Sequence, residues 1–310
     1  MCRVLAYLGQ PLPVRNLLFD PEYSLVRQSY SPRMMNTFLN LAGFGMQAWD
    51  PASLRPEDPL TYRTTTLPPF DRNLRHLSSK IAPTCLVAHV RGVTYSSEAV
   101  VTETNLHPFR FDGTRVVLAH NGHLRQFPRM RYSLVEHVRP ELARCIEGTT
   151  DSEWIYALIL SQLDDPFGMP DTDQLADATV DALRILREVR AGHGIDTSSP
   201  VNLLLSTGRS VVATRFSFDY GWYPPEDEML ETDLPFCSLW YALGGEYAPV
   251  EGAPDDDWQM TAGDPARSVI IASEPLTSDH SSWLEVPEYS LLTAQLGDDG
   301  LDFAVRDLDV

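Results

Sequence analysis

Cysteine is scarce in this chain of 310 residues, and its four copies are scattered. Cys2, Cys85, Cys145 and Cys237 form no CxxC pair, which excludes a zinc ribbon and a disulfide framework as organising devices. No run of about 18 apolar residues occurs, so the sequence contains no membrane-spanning helix. The stretch from Met1 to Gly9 meets Gln10 and Pro11 too early to serve as a signal peptide. A cytoplasmic protein with no membrane association is expected. Basic residues are also sparse where acidic ones are dense. Residues 221–310 hold 20 Asp and Glu against Arg267 and Arg306 alone, whereas residues 1–220 are close to neutral and the whole chain carries −19. Without a basic stripe to neutralise phosphates, nucleic-acid binding is a poor reading. The acidic third reads as a solvated surface, with a docking face for a basic partner as the alternative. Internal repeats and low-complexity tracts are absent.

What remains is ordinary globular material, 43% apolar and 22% charged, and one domain over 1–310 is expected. Short Val-, Leu- and Ala-rich runs bounded by Gly, Pro and Asn predict strands over Arg3–Tyr7, Leu41–Trp49, Cys85–His89, Arg115–His120 and Val269–Ala272. Leu203–Ser206 and Val211–Phe216 flank a Thr-Gly turn and read as a hairpin. A second hairpin is predicted around Gly297–Gly300. Helical spacing marks Asp151–Leu163, with Trp154, Ile155, Leu158 and Ile159 on one side, and Leu175–Arg190. Arg72–Lys80 and Leu134–Cys145 are weaker helices, and Asp50–Asp71 and Tyr223–Pro235 read as long loops. Many strands with a few long helices define an α+β sandwich.

Five segments are weighed for chemistry. If Met1 is removed, Cys2 places a thiol and a free α-amine on one residue. That amine's ordinary pKa of about 7.7–8.0 leaves a fraction uncharged near neutrality and able to act as a base. Arg91, just beyond a buried strand in Ala88-His89-Val90-Arg91-Gly92-Val93-Thr94, has the planar fork for a carboxylate, or makes a surface ion pair. His107, in Asn105-Leu106-His107-Pro108-Phe109, reads as a hydrogen-bonded strut. Asn121 and Gly122 follow a strand and supply either two oxyanion donors or an Asn-Gly turn. Asp151, in Thr150-Asp151-Ser152-Glu153, caps a helix or turns outward to hold an ammonium. Cys85, Cys145 and Cys237 read as small buried hydrophobes.

In this order, Met-Cys-Arg, H-x-R-x-x-T, N-x-H-P-F, H-N-G and T-D-S-E closely resemble the class II glutamine amidotransferases, which are N-terminal-nucleophile hydrolases. Ala272-Ser273-Glu274-Pro275-Leu276 and Trp283-Leu284-Glu285-Val286-Pro287 further resemble the short stand-alone members, among them the γ-glutamyl amide hydrolase of ergothioneine biosynthesis. The resemblance implies a four-layer αββα sandwich and no metal or organic cofactor. It also implies Cys2 as nucleophile with its own amine as base, and Asn121 with the Gly122 N–H as oxyanion hole. Arg91, with Thr94, would hold a glutamyl α-carboxylate and Asp151 its α-ammonium. Relatives often carry an aromatic where this chain has Gly92, and an Asp-Gly pair near Asn40–Gly45 that is absent here.

The reaction so implied is hydrolysis of the glutamine side-chain amide through a Cys2 thioester, with ammonia passed to a separate synthetase or other acceptor enzyme. The alternatives are a stand-alone hydrolase of a γ-glutamyl metabolite and a catalytically silent binding module. Amine-assisted catalysis requires a free α-amine on Cys2. Intact-mass measurement of active protein should therefore show Met1 removed, and full activity in a population that retains it would exclude the amine as base.

Overall fold

The computed structural model describes residues 2–34, 40, 42–93, 101–220, 237–254 and 256–310. In chain order the strands are β1 (Arg3–Leu8), β2 (Phe44–Trp49), β3 (Leu60–Thr64), β4 (Cys85–Val90), β5 (Val117–Gly122), β6 (Ser199–Ser206), β7 (Ser210–Arg215) and β8 (Ser217–Phe218). They continue with β9 (Trp240–Gly244), β10 (Tyr247–Pro249), β11 (Trp258–Met260), β12 (Ser268–Ala272), β13 (Leu284–Glu285), β14 (Ser290–Leu296) and β15 (Leu301–Asp307). The α-helices are α1 (Arg15–Leu18), α2 (Leu25–Gln28), α3 (Arg72–Ser78), α4 (Phe127–Met130), α5 (Pro140–Ala143), α6 (Asp151–Gln162) and α7 (Thr172–Gly192).

A seven-stranded sheet runs β13-β9-β12-β1-β4-β2-β3, and a second runs β15-β14-β7-β6-β5, with β8 paired to β6. Side-chain alternation along each strand builds the layers. Val4, Ala6 and Leu8 of β1 join Val87, Val117, Ala119, Leu204, Ala213, Ile271 and Ala294 between the two sheets. Leu5 and Tyr7 point the other way, into a core closed by α1–α3 and the Tyr247–Trp258–Met260 cluster. The far face of the second sheet, including Leu118, Leu203, Leu205 and Val212, packs on α6 and α7. These are the four layers of an αββα sandwich.

Most predicted elements are present, and the differences have local causes. Asp50–Asp71 is not all loop, because Leu60-Thr61-Tyr62-Arg63-Thr64 pairs with β2 as an edge strand and needs no apolar run. Leu134–Cys145 is not one helix. A 3₁₀ segment ends at His137 and α5 restarts with Pro140 in its first turn, the helical position proline tolerates. Instead of one apolar stripe, α6 is buried almost all round from Ile155 to Leu160, as expected of a helix between a sheet and α7. A capping box of Asp171 and Gln174 starts α7 three residues before its first predicted apolar position. Leu41 and Tyr223–Pro235 lie outside the described residues. β15 forms one edge of the second sheet, partly exposed along its length.

The inter-sheet layer is shut off from solvent, so truncating it leaves a cavity. Leu204→Ala should lose about 2–5 kcal/mol of stability, read as a drop in the urea midpoint with unchanged slope.

Candidate active site

β1 is paired on both sides, and its pairing defines the site. Against β4 the register sets Arg3 opposite Val90, which brings Cys2 beside Arg91 and Gly92. Against β12 it sets Leu5 opposite Ala272, and Val4 then meets Ser273 through two hydrogen bonds: Ser273 N to Val4 O at 3.0 Å and Val4 N to Ser273 Oγ at 2.9 Å. Cys2 shares the side-chain parity of Val4 and Ala6, so its thiol belongs to the inter-sheet face. It is 8% exposed, accepts from Gly92 N at 3.4 Å and lies 3.6 Å from Gly92 O. Gly92 lays its backbone against the sulfur.

Under the thiol lies a buried ion pair. Arg3 donates to the Cys2 carbonyl at 3.0 Å and pairs with Glu274 at 3.4 Å, and both side chains are almost completely buried. Glu274 also accepts from Arg33 N at 2.8 Å. Two segments distant in sequence, Cys2-Arg3 and Ser273-Glu274, are therefore one structural unit.

The second sheet supplies Asn121 and Gly122 at the end of β5, paired with Asn202 and Val201. Asn121 points into the inter-sheet layer, like Val117 and Ala119. Its carboxamide donates to Ser273 Oγ at 3.4 Å, and the Cys237 thiol lies 3.9 Å from its oxygen. Gly122 has φ +157, and a Cβ there would lie 1.9 Å from Pro200 O, so only glycine fits. The Asn-Gly pair is thus strand, not turn.

Arg91 follows β4, with its backbone tied to Ala42 and Gly43 and its side chain 9% exposed. Burial pushes its guanidinium down from the ordinary value, while Cys2 and Asp151 nearby pull it back up. The Arg91 guanidinium therefore sits within electrostatic reach of both the thiol and the carboxylate. Thr150, not Asp151, caps α6, accepting from Glu153 N at 3.3 Å. That frees the half-buried Asp151, whose carboxylate accepts from Leu124 N and, at 3.1 Å, from Ser152 Oγ. Cys2, Arg91, Asn121, Gly122 and Asp151 all gather at one end of the paired sheets. Thr94 lies outside the described residues.

Behind the site stand three buried histidines. His89 and His107 stack at 4.1 Å between ring centroids, and His120 lies 6.5 Å from His107. His120 Nδ1 bonds Ser152 Oγ at 2.8 Å and His89 Nε2 bonds His120 O at 3.2 Å. Neither ring nitrogen of His107 has a hydrogen-bond partner among the described residues, so it is a stacking element and not the predicted hydrogen-bonded strut. A Cβ on Gly45 would lie 2.1 Å from His107 O, and glycine there lets this segment cross β2. Among the described residues no group of His, Cys, Asp or Glu is placed to hold a metal ion. Cys85 is buried as expected, whereas Cys145 is partly exposed.

Comparison with known proteins identifies the family. The class II glutamine amidotransferase family description matches residues 68–305, and the chain belongs to that family of amidohydrolase enzymes. Over 94% of its length and 81% of the relative's, it is 30% identical to "Probable glutamine amidotransferase DUG3" of Saccharomyces cerevisiae. It is 27% identical to a "Gamma-glutamyl-hercynylcysteine sulfoxide hydrolase" of Mycolicibacterium smegmatis, across 69% of this chain and 78% of that one. In fold it is similar to a class-II domain protein from Silicibacter pomeroyi, with TM-score 0.59 and 20% identity over the whole of both chains. The B. subtilis glutamine PRPP amidotransferase aligns with all of this chain and 50% of its own, at TM-score 0.56 and 16% identity.

The sequence did not point to Cys237 or the Arg3 pair as parts of the site. Strand parity from Val4 back to Cys2 was the available signal that the thiol faces inward.

Burial drives His89 down to about 3, and lowers His107 and His120 as well. The folded protein holds them neutral, and the unfolded chain takes up protons below about pH 6.5. Their contribution to stability is therefore full above that pH and declines as pH falls toward the folded values. Urea midpoints at about pH 7.5 and about pH 5 should show the loss, with a shallower decline in His89→Gln.

Proposed function

We propose that this chain hydrolyses the amide of a γ-glutamyl group through a thioester on Cys2. The observation that carries the reading is the convergence of a buried cation and a freed carboxylate, Arg91 and Asp151, on the thiol end of β1. An amino-acid head group has a carboxylate and an ammonium, and this pair offers one partner for each. Cys2 Sγ attacks the side-chain carbonyl carbon while its proton passes through the α-amine to the leaving nitrogen. The C–N bond breaks and the amine departs. Water then adds to the acyl carbon, the C–S bond breaks and glutamate leaves. Asn121 and the Gly122 N–H would receive the oxyanion in both steps.

Glutamine is the smallest such substrate, and larger γ-glutamyl amides carry the same head group on a bigger leaving amine. A small cavity of about 20 Å³, room for about one water, is lined by Asn202, Arg215, Phe216, Tyr220, Cys237 and Tyr289. Asn202 pairs with Asn121 and Cys237 touches its carboxamide, so the cavity adjoins Asn121. The reading that admits larger amides is supported by the likeness to a γ-glutamyl-hercynylcysteine sulfoxide hydrolase. The second reading, glutamine hydrolysis with ammonia delivered to an acceptor enzyme on another chain, is supported by the 30%-identical yeast relative's description as a glutamine amidotransferase.

The test measures glutamate release and kcat/KM for glutamine beside a panel of γ-glutamyl amides. Turnover should vanish in Cys2→Ala, fall about 10²–10³-fold in kcat for Asn121→Ala, and drop for Arg91→Lys, where a point charge replaces a fork. A γ-glutamyl amide preferred over glutamine by more than about 100-fold selects the first reading, and glutamine preference selects the second.

A further inference from the structure

The nucleophile and the oxyanion donor belong to different sheets, and sheets that meet only through apolar side chains can slide. One hydroxyl bridges them at the site. Ser273 Oγ, fully buried, accepts from Val4 N at 2.9 Å, two residues from the thiol, and from Asn121 Nδ2 at 3.4 Å. Ser273 is itself anchored twice more, through its N–H to Val4 O at 3.0 Å and through its carbonyl, which accepts from Ser238 Oγ at 2.7 Å. The bond to Ser273 occupies one amide N–H of Asn121 and leaves the other for an oxyanion. It also sets which end of the carboxamide is nitrogen, since the oxygen end faces the Cys237 thiol. Glu274, the next residue, holds the Cys2 carbonyl through Arg3.

We propose that Ser273 is a positioning residue that fixes the orientation of the Asn121 carboxamide relative to the Cys2 thiol. This rests on the thioester reading given above. Ser273 touches no reacting atom, and its effect runs through Asn121. Misplacing an oxyanion donor costs the chemical step while the glutamyl clamp of Arg91 and Asp151 is left alone.

A double-mutant cycle reads the coupling. Ser273→Ala should lower kcat by about 10–100-fold with KM within about twofold, yet add less than about twofold in an Asn121→Ala background. Alkylation of Cys2 by iodoacetamide forms no oxyanion and should proceed at the wild-type rate. Equal losses in both backgrounds, a wild-type kcat, or slowed alkylation would each overturn the inference. If Ser273→Ala does not fold, Ser273→Cys, nearly isosteric with a weaker acceptor, replaces it in the same cycle with the same criteria. Cys2→Ala separates the two levels. An inactive Cys2→Ala beside a fully active Ser273→Ala overturns the Ser273 assignment alone, while an active Cys2→Ala overturns the thioester reading and this inference with it.

Discussion

Antiparallel pairing of β1 with β4 on one side and β12 on the other is the constraint from which the site follows. A strand paired on one edge only can shift its register, and a shift of one residue would turn Cys2 away from the second sheet. With both edges held, the thiol has one address, between the Arg91-Gly92 backbone and the Ser273-Glu274 segment. The inter-sheet layer then sets the distance to Asn121. Small side chains there, Ala6, Ala119, Ala213 and Ala294, alternate with larger ones such as Leu8, Leu204 and Ile271, which fill the layer between the sheets.

Electrostatics at the site is a matter of which charges are kept and which are suppressed. Arg3 is buried with Glu274 and a carbonyl acceptor, and Arg91 is buried within reach of Asp151, so each cation that burial weakens has a compensating group. The histidines behind them are pushed down by burial, although Asp151 pulls His120 back up, and are held neutral. Their neutrality leaves Arg91 as the buried cation facing Asp151, where imidazolium ions would add competing positive charge. Asp151 owes its freedom to Thr150, which takes the helix-capping duty that an acidic residue at this place commonly performs.

Much of this was legible in the sequence. Strands β1, β4, β5 and β12 are short branched or apolar runs with clear punctuation, and α6 and α7 announce themselves by periodicity. The motif residues Cys2, Arg91, Asn121 and Asp151 came from residue types standing at element ends. What could not be read is whatever depends on contacts across long sequence separations. Ser273 is an ordinary serine until β12 pairs with β1, and Cys237 is an ordinary buried cysteine until it meets Asn121. The edge strand β3 was missed because polar residues suffice on a one-sided edge. The helix predicted over Leu134–Cys145 failed because Pro140 interrupts the ladder, a local rule that outweighed the apolar spacing.

At the opposite edge of the molecule, β15 lies at the end of its sheet with Asp302, Arg306 and Asp307 along it and Asp298 and Asp299 in the turn before it. An edge offers unsatisfied backbone groups to any passing strand. A second copy adding there would bring carboxylates against carboxylates, since this segment holds four acids and one base. Like charges facing one another in that way disfavour strand addition, so the acids along this edge work against pairing with a second copy.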